Sequence, residues 1–330
     1  MYVLGIDGGG TKTTGMVADD QGEVYMQAVT GRSNPNTLSQ AEFHQVMENL
    51  LLQLKQQDPS IFSQLTVCFA GMAGVGESGR AAEIAALLKR HLPLETNVIV
   101  KNDAVNALYA GTAGEAGIVQ IAGTGAIAYG INESGQTVRS GGWGYLFDDE
   151  GSGFDLGKSA LRAVFRQYDG RGSATSLTER VLAYFGAEQV PDLIAKVYGG
   201  EHPRSVISPL APFVIEEAKS GDQVAQFILE DACTKMLLCI EACHQRLFEK
   251  ANSTPIVLSG GVFTDSDLFI PLFEKLARES LPNAVFQPTQ VVPAGGALIA
   301  GLKSQGIGIS KTFMERVKAH TRREEENHVR

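Results

Sequence analysis

The 330-residue chain is poor in cysteine, and its cysteines are badly spaced for a scaffold. Cys68, Cys233, Cys239 and Cys243 include no C-x-x-C pair, so reduced thiols are expected instead of a disulfide framework. Three of them fall with His244 in one predicted helix, where cysteine behaves as a small buried hydrophobe, not as part of a metal cluster. Basic residues are also short. The 28 Lys and Arg against 37 Asp and Glu leave a formal charge of −9, which argues against nucleic acid as a partner, because neutralising phosphates needs a basic face. No apolar run approaches the ~20 residues that a membrane span needs. The first predicted strand begins at Tyr2, ahead of any signal-peptide pattern. A cytoplasmic protein with neither membrane nor nucleic-acid partner is expected.

What the chain does have is glycine, concentrated in loops. The opening "MYVLGIDGGGTKTTGMVADDQGEV" holds three consecutive glycines and one isolated acid, Asp7. Such a run lets main-chain N–H groups approach an anion closely. Gly5 and Gly10 have the separation of a Walker loop, but Thr11 intervenes before Lys12 and no helix follows. A G-x-G-x-x-G fingerprint is absent here too. The loop therefore belongs to a β-hairpin. "GIVQIAGTGAIAYGINESGQTV" (117–138) repeats it: an offset of 113 residues carries Gly10 onto Gly123, Thr11 onto Thr124, Asp20 onto Glu133 and Gly22 onto Gly135. Two turns that keep their separation in both copies indicate an internal β-β-β repeat.

A helix is predicted at 41–57 from Phe43, Val46, Met47, Leu50 and Leu54, opened by a Ser39–Glu42 capping box. Strand "LTVCFA" (65–70) follows, then a helix with Ile84, Leu87, Leu88 and His91 on one side, strand "NVIV" (97–100) and a helix from about Ala104. The second copy is interrupted by mostly helical residues, about 145–253, including Leu161, Val164, Phe165 and Tyr168 on one face and a long helix at 222–250. Strand 255–260, helix 266–280, strand 284–287 and helix 294–302 complete it, and the charged tail is expected to be a solvated helix or frayed. The expected fold is α/β with a duplicated βββαβα topology: a lobe at 1–114 and a lobe at 115–330 carrying the insertion.

Two such halves facing across a cleft resemble the actin-like ATPase superfamily, whose domains are ribonuclease-H-like. "IDGGGTKT" is similar to its first phosphate loop, "IAGTGAIA" to its second and "VLSGGVF" to its adenosine loop, in that order along the chain. The resemblance implies ATP and Mg²⁺ as cofactors. Asp7 would orient the metal through water, while Gly8, Gly9 and Gly10 with Thr11, Lys12 or Thr13 meet the β- and γ-phosphates. Gly123, Thr124 and Gly125 would form the matching turn, and Gly260 and Gly261 would lie against adenine and ribose. In "KNDAVNAL", Asp103 stands at a predicted helix N-cap. In the sugar kinases of this superfamily, an Asp there accepts the proton of the attacking hydroxyl.

The stretch "SGGWGYLFDDEGSGFDLG" (140–157) contains the only tryptophan, Trp143, between glycines and before Asp148, Asp149 and Glu150. An aromatic face beside carboxylates suits a sugar. The segment resembles "GGWG…DEGS" of N-acetylglucosamine kinases in the BadF/BadG family. That resemblance implies that Gly142 and Trp143 line a sugar pocket and that Asp149 bonds sugar hydroxyls, with Thr124 nearby. In "GRSNPNTL", either Asn34 or Asn36 would also serve the sugar, Asn34 being favoured. The small residues of "GMAGVG" (71–76) are expected to leave room for a lactyl ether. The resulting expectation is ATP-dependent phosphorylation at the 6-hydroxyl of N-acetylglucosamine or N-acetylmuramic acid by a homodimer that closes over its substrates. Glucosamine kinase and a non-sugar activator ATPase are the alternatives; ROK-type zinc and E-x-G-H sugar motifs do not occur.

Overall fold

Val3, Leu4 and Ile6 of strand β1 (Tyr2–Gly8) have no exposed surface on either face, which marks β1 as a central strand. The computed structural model describes residues 1–200, 202–249 and 253–328, with side chains at all of these but 77, 78 and 323–328. Strands β2 (Lys12–Asp19) and β3 (Val24–Gly31) continue from β1 as an antiparallel meander. Strands β4 (Leu65–Met72) and β5 (Asn97–Asn102) add in parallel on its other edge, in the order β3-β2-β1-β4-β5. A second sheet is built from β6 (Gly117–Ala122), β7 (Ala126–Ile131), β8 (Thr137–Gly141), β9 (Thr254–Ser259) and β10 (Ala284–Pro288). Its order, β10-β9-β6-β7-β8, is the first order repeated strand for strand, with the same parallel and antiparallel senses. The repeat read from two glycine turns is thus a repeat of whole sheets.

Chain contacts divide the molecule into two units, Met1–Ala116 with Thr289–Arg330, and Gly117–Pro288. Residues from 289 onward, which the sequence reading placed with the second lobe, pack in the first unit. The cause is the small-residue helix Pro293–Ser304. A Cβ on Gly5 of β1 would come within 2.7 Å of Ala294 O and Leu298 N, and one on Gly296 within 1.9 Å of Asn106 O. Backbone therefore lies directly on backbone.

Helix Gln40–Gln57 begins with the expected capping box: Ser39 N donates to Glu42 Oε2 (2.9 Å) and Glu42 N to Ser39 Oγ (3.3 Å). Leu51 joins its buried face, whereas Val46 is only half-buried. Helix Ala81–Lys89 buries Ile84, Leu87 and Leu88 but ends before His91, which lies at the surface 3.3 Å from Glu48. The insertion carries helices Gly153–Tyr168, Leu177–Phe185, Leu193–Tyr198, Pro203–Ile207, Ala211–Lys219 and the 25-residue Gln223–Leu247, the last of which packs on β7 and β8. Tyr168 shares the helical face of Leu161 and Val164 but is exposed, being the last residue of its helix. Cys68, Cys233 and Cys243 are buried core thiols; burial pushes Cys68 and Cys243 up to about 12. Helix Lys311–His328 carries the charged tail, whose side chains from 323 lie outside the described residues. Among the described residues, no helix is long and apolar enough to cross a membrane.

Candidate active site

In the first unit, β1 delivers Asp7 to its carboxyl end, one residue before the glycines. Gly9 N donates to Lys12 O (2.9 Å), so Gly10 and Thr11 form the exposed tip of a tight hairpin with Lys12 beside it. Thr13 is turned inward: its side chain is fully buried and donates to Gly31 O at 2.7 Å. Behind Gly8 lies the buried Ser33 hydroxyl, which has no hydrogen-bond partner among the described residues.

The carboxylate of Asp7 is held by a residue that the sequence reading did not single out. Asn106 Nδ2 donates to Asp7 Oδ1 (2.9 Å) and to Ile6 O (3.2 Å), with Gly71 O at 3.4 Å. Asn106 lies in helix Ala104–Thr112 and is fully buried among apolar neighbours. A lone asparagine in the run "AVNALYAGT" was the available signal. Asp7 Oδ2 has no donor among the described residues. Burial is the main influence on this group, raising its pKa to about 6 against the opposing Asn106 bond and Lys12 charge.

Asp103 occupies the N-cap of the same helix, one turn before Asn106, but makes no side-chain capping bond. Asn102 takes that duty by accepting from Ala104 N at 2.9 Å, so capping as a second role for Asp103 is not realised. Burial, and then the negative charge of Asp7, push Asp103 up to about 7. Both acids keep a partly exposed face. Two neighbouring carboxyls, poised near neutrality and fixed by one short helix, can hold a cation between them and a phosphate or accept a proton.

Nearby, Asn34 Oδ1 accepts from Asn36 N (2.9 Å), closing a local turn, and Asn36 Nδ2 donates to Gly74 O (3.1 Å). Asn36 is thereby occupied, while the Asn34 amide N–H groups have no acceptor among the described residues. The expected room at 71–76 is filled. A Cβ on Gly71 would meet Asn106 at 2.3 Å, and one on Gly74 would meet Asn34 and Asn36 at 2.6 Å. Small residues there accommodate asparagines, so their size carries no information about a substrate ether.

In the second unit, Gly123 N donates to Gly125 O (2.9 Å), leaving Thr124 exposed at the turn. Gly153 N donates to Gly123 O at 2.7 Å, which ties this turn to the start of helix Gly153–Tyr168, capped by the buried Ser152. Against the turn stands Asp149, 5% exposed and left-handed at φ 59°, a conformation in which a non-glycine residue stores strain. Its carboxylate is 3.5 Å from Arg204 Nη2. A Cβ on Gly125 would lie 2.9 Å from Arg204 Nη2 and 3.0 Å from Asp149 Oδ2, so a larger residue would have to displace both groups. Burial raises the Asp149 pKa, and the Arg204 charge opposes it. Trp143 is 62% exposed, with the Arg139 guanidinium 4.0 Å over its ring and its backbone N–H donating to Asp148 Oδ2. An indole this open is not a core residue. Gly142 precedes it with a left-handed backbone against Ile127. At the end of β9, Gly260 adopts φ 108° within close reach of Ala122 O, and Gly261 has open space around it. Both present bare, exposed backbone.

A family model described as the BadF/BadG/BcrA/BcrD ATPase family matches residues 4–301. The chain is 31% identical over 299 residues to an N-acetylmuramic acid/N-acetylglucosamine kinase of Clostridium acetobutylicum, covering 90% of this chain and 97% of that one. It is also 31% identical to an N-acetyl-D-glucosamine kinase of Dictyostelium discoideum, covering 92% and 98%. Among solved structures, a Chromobacterium violaceum protein provisionally named an N-acetylglucosamine kinase superposes with a TM-score of 0.71 at 26% identity, covering 90% and 98%. A ROK family glucokinase of Streptomyces griseus, solved with glucose and AMPPNP, shares the fold at a TM-score of 0.58 and 16% identity. The duplicated sheets are those of the actin-like ATPase fold.

Proposed function

Because this chain belongs to the BadF/BadG/BcrA/BcrD ATPase family, we propose that it is an ATP-dependent kinase that phosphorylates the 6-hydroxyl of an N-acetylated amino sugar, N-acetylglucosamine or N-acetylmuramic acid. The observation that carries the reading is Asp103: an N-cap acid relieved of capping by Asn102 and raised to about 7, where a general base is most effective. Asp103 takes the proton of the sugar hydroxyl as its oxygen bonds to the γ-phosphorus. The bond from that phosphorus to the β,γ-bridging oxygen breaks, and ADP leaves. Base assistance of this kind contributes about 10²–10⁴-fold.

Phosphoryl transfer asks the protein mainly for positioning and charge neutralisation. The backbone of Gly8, Gly9 and Gly10, with Thr11 and Lys12, is assigned to the phosphates in the first unit, and Gly123, Thr124 and Gly125 in the second. Gly260 and Gly261 are assigned to the adenosine. When bound with ATP, magnesium would supply further neutralisation on the β- and γ-phosphates. The donor set fits such an ion held through water, because Mg²⁺ keeps several waters beside one or two carboxylates and Asp7 has an oxygen without a donor. Among the described residues, no cluster of three or more His, Cys, Asp or Glu is placed to hold a metal by itself. Asn34, Gly142, Trp143 and Asp149 are assigned to the sugar: two hydrogen-bonding side chains and an aromatic face. A cytoplasmic homodimer belongs to the same reading.

The test is ADP release with Mg-ATP over N-acetylglucosamine, N-acetylmuramic acid, glucosamine and glucose. Turnover restricted to the acetylated sugars supports the reading. Turnover of glucosamine alone overturns the acetamido assignment, in line with a Vibrio cholerae glucosamine kinase that is 26% identical over 76% of this chain. No turnover with ATP hydrolysis intact overturns the kinase reading.

A further inference from the structure

Arg204 is unassigned in everything above, and its surroundings are unusual. It is the second residue of the short helix Pro203–Ile207 in the insertion, with its guanidinium 5.4 Å from the ring of Tyr145, which is itself packed edge-on against Phe154 and His202. Its nearest carboxylate oxygen, on Asp149, is 3.5 Å away, beyond a good hydrogen bond. Its Nε is buried and has no acceptor among the described residues. A guanidinium has five N–H donors in a rigid fork, and leaving a buried one unmet is costly. The unmet Nε shares one edge of the fork with Nη2, and that edge is the one that takes a carboxylate through two parallel bonds.

We propose that Arg204 is the specificity residue of the sugar site and binds an acidic substituent of the substrate, the carboxylate of a lactyl ether. This rests on the amino-sugar kinase reading, since it locates the sugar by Asp149. The position agrees: Arg204 Nη2 flanks both Asp149 and the turn at Gly125. Charge favours a singly charged group over a phosphoryl group. Asp149 stands 3.5 Å from the guanidinium, and a dianion in that place would meet its negative charge at close range.

The test compares kcat/KM for N-acetylmuramic acid, its methyl ester and N-acetylglucosamine in the full chain and in Arg204→Met and Arg204→Lys. Removing Arg204 strips Asp149 of its partner, so every sugar loses some rate. The expected signature is the ratio. Arg204→Met shifts the acid-to-neutral ratio by ~10- to 100-fold through KM, the scale of a charge-assisted hydrogen bond. Arg204→Lys recovers part of it, and esterification harms the parent chain but not Arg204→Met. Equal losses on all three sugars would overturn the proposal and give Arg204 a phosphoryl or scaffolding role. So would a parent chain that phosphorylates N-acetylglucosamine and refuses the acid. A parent chain inactive on every sugar would instead remove the kinase reading itself.

Discussion

Replacing Asp103 with asparagine keeps the side chain's size and removes its charge, which separates two consequences of its raised pKa. The group moves from an ordinary 3.8 to about 7, mainly by burial and then by the Asp7 charge. At 1.36 kcal/mol per unit, the full displacement corresponds to about 4 kcal/mol. Its exposed edge lets water screen the charge, so about half of that, ~2 kcal/mol, is a fair expectation. The sign follows from proton binding. Between pH 4 and 7 the folded state holds a proton that the unfolded chain has released, so this group lowers stability as pH rises through that window. Asp103→Asn should therefore be more stable than the parent at pH 8 by ~2 kcal/mol, about 4–8 °C in Tm for a unit of this size. The difference should shrink steadily between pH 7 and 4. Thermal unfolding of both proteins across that range measures it. In parallel, kcat should fall ~10²–10⁴-fold with sugar binding retained, and the parent's kcat/KM should decline below about pH 7 as the base protonates. A destabilised variant at pH 8, or a stability difference that ignores pH, would refute the electrostatic account. An unchanged kcat would remove Asp103 from the base role.

Asn106→Leu should destabilise the first unit by about 2–4 kcal/mol, because Asp7 Oδ1 and the carbonyl of Ile6 lose their donor in a buried place; urea unfolding reads this directly. Trp143→Ala should leave the melting temperature nearly unchanged, since the ring is exposed, and raise the sugar KM more than the ATP KM; equal effects would return the indole to a structural role. Asn34→Ala should raise the sugar KM by ~10-fold, and Asn36→Ala by much less, because only the Asn34 amide is free of a backbone acceptor; steady-state kinetics on both variants decide.

Local pattern carried the strands and most helices. The apolar runs and glycine turns of 1–31 and 117–141 gave the meanders, and the Ser39–Glu42 pair gave a helix start within one residue. Its limits were contacts distant in sequence. That Asn106 bonds Asp7, 99 residues away, has no local signature beyond a polar residue in an apolar run. Likewise, glycines 71 and 74 looked like empty space, because nothing nearby in sequence reveals that asparagine side chains fill it. Arg204 was hidden for the same reason. It reaches the Gly125 turn from a five-residue helix deep in an insertion whose pattern speaks only of apolar packing.

The return of the chain to β1 has a consequence for the order in which the protein can mature on the ribosome. One face of the first sheet, with Val3, Met16, Ala18 and Val67, is covered by Val291, Ala294, Leu298, Ile299, Leu302, Phe313 and Val317. Those covering residues are synthesised only after the second sheet. Strands β1, β2 and β4 are made before it, yet keep an apolar face bare while the whole second sheet and its insertion are made. A nascent chain stalled near residue 288 should then present a completed second unit beside a half-clad first one, the species that chaperones recognise and that aggregates. Folding of the first sheet is in that sense closed late, by a helix small enough in its side chains to lie flush on a strand made about 290 residues earlier.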